Sequence, residues 1–257
     1  MALRGVLLDL EGVLYQDGRA IDGARHVVAG LRDAGLGMRF LTNTTTRPRG
    51  DIRASMRAMG FEAALDDIFS PAMAARRFLQ DAGVSRIHLA ASEGLAEDFD
   101  GFTLVDGDPE AVVIGDLHTD FSWLRVNALY TMLLGGARLV ALHKNRYCKR
   151  GDDLALDLGP FVAALEYAAG VEADVMGKPS PAFFAMALAS LGLAAGDVVM
   201  VGDDIEADIG GAQGAGIRAV QVETGKYSAR DRDHPRIAPD GRIPSVAALA
   251  DFLAGLT

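Results

Sequence analysis

Cysteine is nearly missing from this chain. Cys148 stands alone in 257 residues, which excludes an intramolecular disulfide framework and a cysteine-built zinc site. Nothing points to an oxidising compartment. An excess of basic residues is missing too: 25 lysines and arginines face 35 aspartates and glutamates, for a net charge of −10 and a pI near 4.9. A general nucleic-acid binder needs a basic face, so that class is set aside. The N-terminal stretch lacks the basic, long-apolar, small-residue pattern of a secretory signal. The longest uncharged run, residues 179–196, is broken by Pro, Ser and Gly and does not read as a membrane span. There is no strict internal repeat and no low-complexity tract. The expectation is a cytoplasmic protein with neither a membrane nor a nucleic-acid partner.

What is present is apolar content for a sizeable core, since 50% of the residues are hydrophobic. The length allows one large domain or two smaller ones. Near the start, Val6-Leu7-Leu8 runs into Asp9, followed by Leu10-Glu11-Gly12. An unbroken apolar run suits a central strand of a parallel sheet, covered on both faces. Ligand crevices of such sheets lie beyond the carboxyl ends of the strands, so a carboxylate where the strand stops is placed for chemistry.

Alternation of strands and helices continues from there. Residues 12–20 read as a turn or flap with Gly18 at its tip. Helical spacing follows over 21–34, closed by Gly35. Residues 37–41 form a second strand ending in Thr42-Asn43-Thr44-Thr45-Thr46. Helices are expected over 48–59 and from Ser70-Pro71, where Ser suits the N-cap and Pro the first turn. From about residue 86 the rhythm starts afresh: strands at 87–90, 111–115 and 139–142, helices at 121–134 and 160–169, and a basic loop over 143–150. Then come Gly177-Lys178-Pro179-Ser180-Pro181, a helix to Leu191, and the apolar run 198–201 ending in Gly202-Asp203-Asp204. A helix containing Asp208, a strand over 218–222, a loop over 225–244 and a helix over 245–253 complete the chain. The glycines of 210–216 come late in a helix rather than between strand and helix, so they do not make a dinucleotide loop. The pattern predicts an α/β fold: a mostly parallel sheet with helices on both faces, with a second α/β block inserted in it.

Strand or loop ends therefore offer Asp9 and Glu11, Thr42 and Asn43, Lys178, and Asp203, Asp204 and Asp208. Carboxylates facing one point repel and need a cation. An all-oxygen set with no cysteine selects a hard ion, here Mg²⁺. The ion would offset the carboxylate charge and admit an anionic phosphate. Thr42 and Asn43 are donors for phosphoryl oxygens, and Lys178 is a point charge for the nucleophile and for the charge that builds up in transfer. Asp204 and Asp208 have two readings. They hold Lys178 or a metal-bound water, or they only favour a helix start. The loop 143–150, with Lys144, Arg146, Lys149 and Arg150, is either a specificity loop over an anionic substrate or a solvated turn.

This set resembles the haloacid-dehalogenase-like (HAD) hydrolase superfamily. Asp9-Leu10-Glu11-Gly12-Val13 matches its first motif, Thr42-Asn43 its second, Lys178 its third, and Gly202-Asp203-Asp204-Ile205-Glu206-Ala207-Asp208 its fourth. The insert between the second and third motifs is similar to the large α/β cap of the type IIA branch. Gly159-Pro160-Phe161, His143-Lys144-Asn145-Arg146-Tyr147 and Gln221-Val222-Glu223-Thr224-Gly225-Lys226 extend the likeness over nearly the whole chain, toward phosphatases of pyrophosphate, phospholysine and phosphohistidine. The resemblance implies a Rossmann-like parallel-sheet core at 1–80 and 177–257 with a cap at 81–176. It implies a Mg²⁺-dependent phosphatase of pyrophosphate, phosphoramide or small phosphomonoester bonds, a small phosphorylated substrate, and a homodimer. By this likeness Asp9 forms an aspartyl-phosphate, Asp9, the Glu11 carbonyl and Asp203 hold Mg²⁺, and Thr42, Asn43 and Lys178 grip the phosphoryl group.

One position departs from the superfamily pattern. A second Asp usually stands two residues after the nucleophile as general acid and base, and here it is Glu11. The backbone carbonyl survives any side chain, but the carboxylate is one methylene longer, and small misplacements cost rate heavily. Pyrophosphate and phosphoramide leaving groups need less proton help than alkoxides, so the change is expected to bias substrate choice. Two alternatives fit the same residues: a general sugar- or nucleotide-phosphate phosphatase, and a non-catalytic sensor of phosphoryl ligands.

Overall fold

The computed structural model describes residues 3–150 and 153–255. They divide into two compact units, one of residues 3–42, 50–69 and 178–255, the other of residues 43–49 and 70–177.

The first unit is built on a sheet that, among the described residues, has six strands, all parallel. Their order is Gly241–Ile243, Arg218–Val222, Val198–Gly202, Gly5–Asp9, Gly37–Leu41 and Ile68–Phe69. The two apolar runs seen in the sequence are neighbours at its centre, paired Leu8 to Val201. Val6, Leu8, Val199 and Val201 pack into one core with Val27, Val28 and Leu31 of the helix Ala24–Asp33, Ile52 and Met56 of the helix Arg49–Ala58, and Leu249 of the helix Leu249–Ala254. Leu7 and Met200 are equally buried but alternate to the opposite face. Both faces are thus covered, which is why these strands read as continuous apolar runs rather than alternating ones. The chain reverses its direction of travel across the sheet at Gly5–Asp9. The strands at 37–41 and 68–69 lie to one side, and those at 198–202, 218–222 and 241–243 lie to the other.

The second unit has its own sheet, again all parallel among the described residues, in the order Asp174–Val175, Arg138–Ala141, Ala111–Ile114, Arg86–Ala90 and Thr103–Leu104. The helix Pro71–Asp81, capped by the Ser70 hydroxyl, belongs to this unit, as do the helices Trp123–Leu134 and Gly159–Ala169. A buried ion pair fastens its separated segments: Asp98 accepts from both the Arg49 amide, at 3.0 Å, and the Arg49 guanidinium, at 3.3 Å.

Two expectations are corrected. The stretch 225–244, read as loop, contains the edge strand Gly241–Ile243. Only Ile243 of its three residues is buried, so the sequence shows no alternation, and the strand exists by pairing Val222 to Ile243. The basic stretch 143–150 is not a loop throughout, because Tyr147–Arg150 pairs antiparallel with Asp153–Leu156 as a hairpin. Lys144, before the hairpin, bonds Glu166 at 2.6 and 2.9 Å. Among the described residues no helix is long and apolar enough to cross a membrane.

Candidate active site

Three adjacent parallel strands deliver the central groups to one edge of the first sheet. Asp9 is level with Leu41 on one side, and Leu8 with Val201 on the other. Asp9, Thr42 and Asp203 thus leave neighbouring strands at their carboxyl ends, beside the strand where the sheet order reverses. Such switch points are where open α/β sheets bind ligands. Lys178, in the segment before the helix Pro181–Leu191, reaches the same place. Its ammonium is buried and bonds Asp9 Oδ1, as well as Asp208 Oδ1 at 2.6 Å.

Asp208 arrives by a local irregularity of the helix. Over Ile205–Gly210 the turn widens, and the Ile209 amide donates to the carbonyl of Asp204, five residues back, at 3.2 Å. π turns of this kind are rare and favour functional sites. The Asp208 carboxylate faces back toward the strand end, where Oδ2 accepts the amides of Asp203 and Asp204 at 3.2 and 3.1 Å. Asp204 has a different job. Its Oδ1 accepts the amides of Glu206 and Ala207 as the helix N-cap, and its Oδ2 takes the Lys226 ammonium at 3.1 Å.

Burial pushes the Asp9 carboxyl up to about 7 against the pull of Lys178, and the charge of Asp208 adds to the rise. Burial holds Asp203 well above its usual range too, reinforced by the charges of Asp9 and Asp208. Burial also works against the charge on Lys178, but Asp208 and Asp9 outweigh it and raise the ammonium above its ordinary value. Burial acts upward on Asp204 as well, yet Lys226 and the Ala207 amide bring it below the usual carboxylate range.

Carboxylate oxygens of Asp9, Asp203 and Asp208 lie within 4.8 Å of one another. The oxygens of Asp208 are already engaged by Lys178 and two amides, so the carboxylates left to face an ion are those of Asp9 and Asp203. The site sets four carboxylates, Asp9, Asp203, Asp204 and Asp208, against two ammonium groups, Lys178 and Lys226. That imbalance, the all-oxygen donors and the raised pKa of two buried acids fit a hard divalent cation.

The remaining sequence candidates make the following contacts. The Glu11 side chain is exposed, and its Oε1 accepts the Asp17 amide at 2.9 Å, which pins the small hairpin of Tyr15–Gln16 and Arg19–Ala20. Thr42 is buried, with its amide donating to the Phe69 carbonyl at 3.0 Å. Asn43 falls in the second unit, where its carboxamide oxygen lies against Gly177. Lys226 and Thr224 belong to a stretch that carries the family likeness, but the sequence gives neither of them a role at the site. Their signal was positional, since they follow another parallel strand of the same sheet at the same edge. The Lys226 amide donates to Asp203 Oδ2 at 2.7 Å, and the Thr224 hydroxyl donates to the Gly12 carbonyl at 2.5 Å.

Comparison with known proteins agrees with this architecture. A family model described as haloacid dehalogenase-like hydrolase matches residues 6–104, and a HAD-hydrolase-like model matches residues 175–249. The phospholysine phosphohistidine inorganic pyrophosphate phosphatase of Bos taurus is 41% identical over 257 aligned positions, covering 98% of this chain and 94% of the relative. Among solved structures, a p-nitrophenyl phosphatase from Archaeoglobus fulgidus superposes with a TM-score of 0.91 at 26% identity, over 98% of this chain and 100% of the other. NagD from E. coli K-12 superposes with a TM-score of 0.86 at 27% identity, over 96% and 98%. With its motif residues on the edge of a parallel sheet and relatives of this similarity along nearly its whole length, the chain belongs to the haloacid dehalogenase-like hydrolases, in the branch that carries an inserted α/β unit.

Proposed function

We propose that this phosphohydrolase is a Mg²⁺-dependent phosphatase working through an aspartyl-phosphate on Asp9. The observation that carries the reading is the buried Lys178 ammonium bridging Asp9 and Asp208, with Asp203 beside them. The carboxylates of Asp9 and Asp203 and the Glu11 carbonyl would hold the ion. Bound there, Mg²⁺ supplies the positive charge that keeps both acids ionised and lets an anionic phosphoryl group approach.

The protein's own groups do the rest. One Asp9 oxygen attacks phosphorus, and the P–O or P–N bond to the leaving group breaks. Glu11 gives the leaving group its proton. Glu11 then takes a proton from water as that water attacks phosphorus. The bond from phosphorus to Asp9 breaks, inorganic phosphate leaves, and the carboxylate returns. Splitting one hard displacement into two easier ones is the gain of a covalent nucleophile. Lys178 spreads the charge that develops on Asp9 and the phosphoryl oxygens. Thr42 and Asn43 are the proposed phosphoryl donors.

Pyrophosphate, phospholysine and phosphohistidine are the proposed substrates, by likeness to the Bos taurus relative so named. Small phosphomonoesters come second. The position of Glu11 supports that order, because its carboxylate serves the hairpin amide of Asp17 and these leaving groups demand less of a proton donor. The same proposal has the protein acting in the cytoplasm as a homodimer, which light scattering checks directly. The deciding assay is a panel of pyrophosphate, phospholysine, phosphohistidine and sugar phosphates with Mg²⁺, run on wild type and Asp9→Asn. Multiple turnover lost in Asp9→Asn supports the enzyme. Binding without turnover in wild type replaces it with a sensor, and a preference for sugar phosphates replaces the substrate class.

A further inference from the structure

The segment Thr224-Gly225-Lys226 touches the Asp203 carboxylate and the Gly12 peptide next to the Glu11 carbonyl, the two non-nucleophilic groups proposed for the ion being that carboxylate and that carbonyl. We infer that it is a positioning strap for the metal site, with the Thr224 hydroxyl as its key contact; this rests on the proposed metal reading. On one side, the Lys226 amide donates to Asp203 Oδ2 at 2.7 Å. That bond fixes the rotation of the carboxylate and directs its other oxygen away from the strap. On the other side, the Thr224 hydroxyl donates to the Gly12 carbonyl at 2.5 Å. The Gly12 amide in turn donates to the Tyr15 carbonyl at 2.7 Å. The Glu11 carbonyl shares a planar trans peptide with that amide, so it points the opposite way. The two bonds hold the peptides on either side of the Gly12 Cα and so set the direction of the Glu11 carbonyl.

The packing is as tight as the hydrogen bonding. Gly12 and Gly225 have φ of +86° and +63°, and a side chain at either would overlap the Asp203 carboxylate. The two backbones approach so closely that a Cβ on Gly225 would lie 2.6 Å from the Gly12 Cα. The strap therefore presses the loop after the first strand and the Asp203 carboxylate of the fourth motif against each other. Without the Thr224 bond, the Gly12 peptide is held on one side only. Partners that orient ligands in this way typically change metal affinity about 10- to 100-fold when removed.

The test is Mg²⁺ binding to the full chain in metal-free buffer near pH 7.5. It is read by isothermal titration and by the rise of the melting temperature with Mg²⁺ concentration, on wild type, Thr224→Val and Thr224→Ser. Valine keeps the shape and loses the donor, whereas serine keeps the donor. Expected is a dissociation constant about tenfold or more weaker in Thr224→Val, with Thr224→Ser staying near wild type. Thr224→Ala reads the same loss if the valine variant does not fold. A Thr224→Val dissociation constant equal to that of wild type overturns the strap and leaves the phosphatase reading standing. Equal weakening in the valine and serine variants overturns it as well, because packing rather than the hydroxyl would then be responsible. A wild type with no Mg²⁺ response at all overturns the metal site on which the strap rests.

Discussion

Asp208→Asn isolates the carboxylate that holds Lys178 without removing any atom that fills space. In the native protein Asp208 is fully buried, with Oδ1 on the Lys178 ammonium at 2.6 Å and Oδ2 on the amides of Asp203 and Asp204 at 3.2 and 3.1 Å. All three partners are donors, and an asparagine has only one acceptor atom. With its oxygen on the amides, its NH₂ meets the ammonium. Turned the other way, the NH₂ meets two N–H groups. Breaking a buried ion pair by removing one partner costs about 3–5 kcal/mol, but Lys178 keeps Asp9. Removing Asp208 also relieves Asp9 and Asp203 of a repulsive charge. The attraction is the larger effect at Lys178, where the charge of Asp208 raises the ammonium more than that of Asp9. The expected net loss is therefore about 2–4 kcal/mol, near the range for a hydrogen bond to a charged group plus part of a broken pair. Urea unfolding in metal-free buffer at pH 7.5 reads this as a lower midpoint with an unchanged slope. Turnover should fall with it, because Lys178 loses the anchor that sets it against Asp9. An unfolding free energy within about 0.5 kcal/mol of wild type, the range of an ordinary surface substitution, would refute the account of Asp208 as the holder of Lys178.

Metal-free stability should fall as pH rises from about 4 to about 7 through Asp9, whose folded carboxyl titrates at about 7. A raised carboxyl favours the fold while protonated and loses that advantage as it ionises. The slope is to be taken as wild type minus Asp9→Asn in thermal melts, and Mg²⁺ should stabilise more at pH 8 than at pH 5.5; a flat difference rejects it. Glu11→Gln should slow phosphomonoester turnover by about 10²-fold or more, as for a lost general acid, and pyrophosphate turnover by less. If Glu11→Gln and Glu11→Asp both leave every substrate unchanged, Glu11 moves no proton. Gly225→Ala places a methyl against Asp203 at a φ of +63°. It should cost about 1–2 kcal/mol from the backbone alone and weaken Mg²⁺ binding, measured by melting with and without the ion.

The parts of the site legible in the sequence share one property: each adjoins an element with its own local signature. Asp9 and Asp203 end apolar runs, and those runs exist because their strands are covered on both faces. Lys178 precedes a Ser-Pro helix start. The strand Gly241–Ile243 was missed because an edge strand with one buried residue carries no periodicity, and only its partner Arg218–Val222 makes it a strand. The buried pair of Arg49 and Asp98 was missed because a contact 49 residues apart leaves no spacing to read. Asp208 was visible as an acidic residue in a helix, but its task depends on the widened turn that aims it back at the strand end. Thr224 and Lys226 act through one hydroxyl and one backbone amide, and a backbone donor has no sequence signature at all. The nucleophile and its charges are thus written as residue types at strand ends, whereas what holds them in place is written in the backbone. Substitutions at Gly12, Gly225 and Thr224 should therefore act on metal affinity although none of the three is proposed to grip the phosphoryl group, and the Thr224 hydroxyl is the one contact of the three that can be deleted and restored without disturbing the backbone.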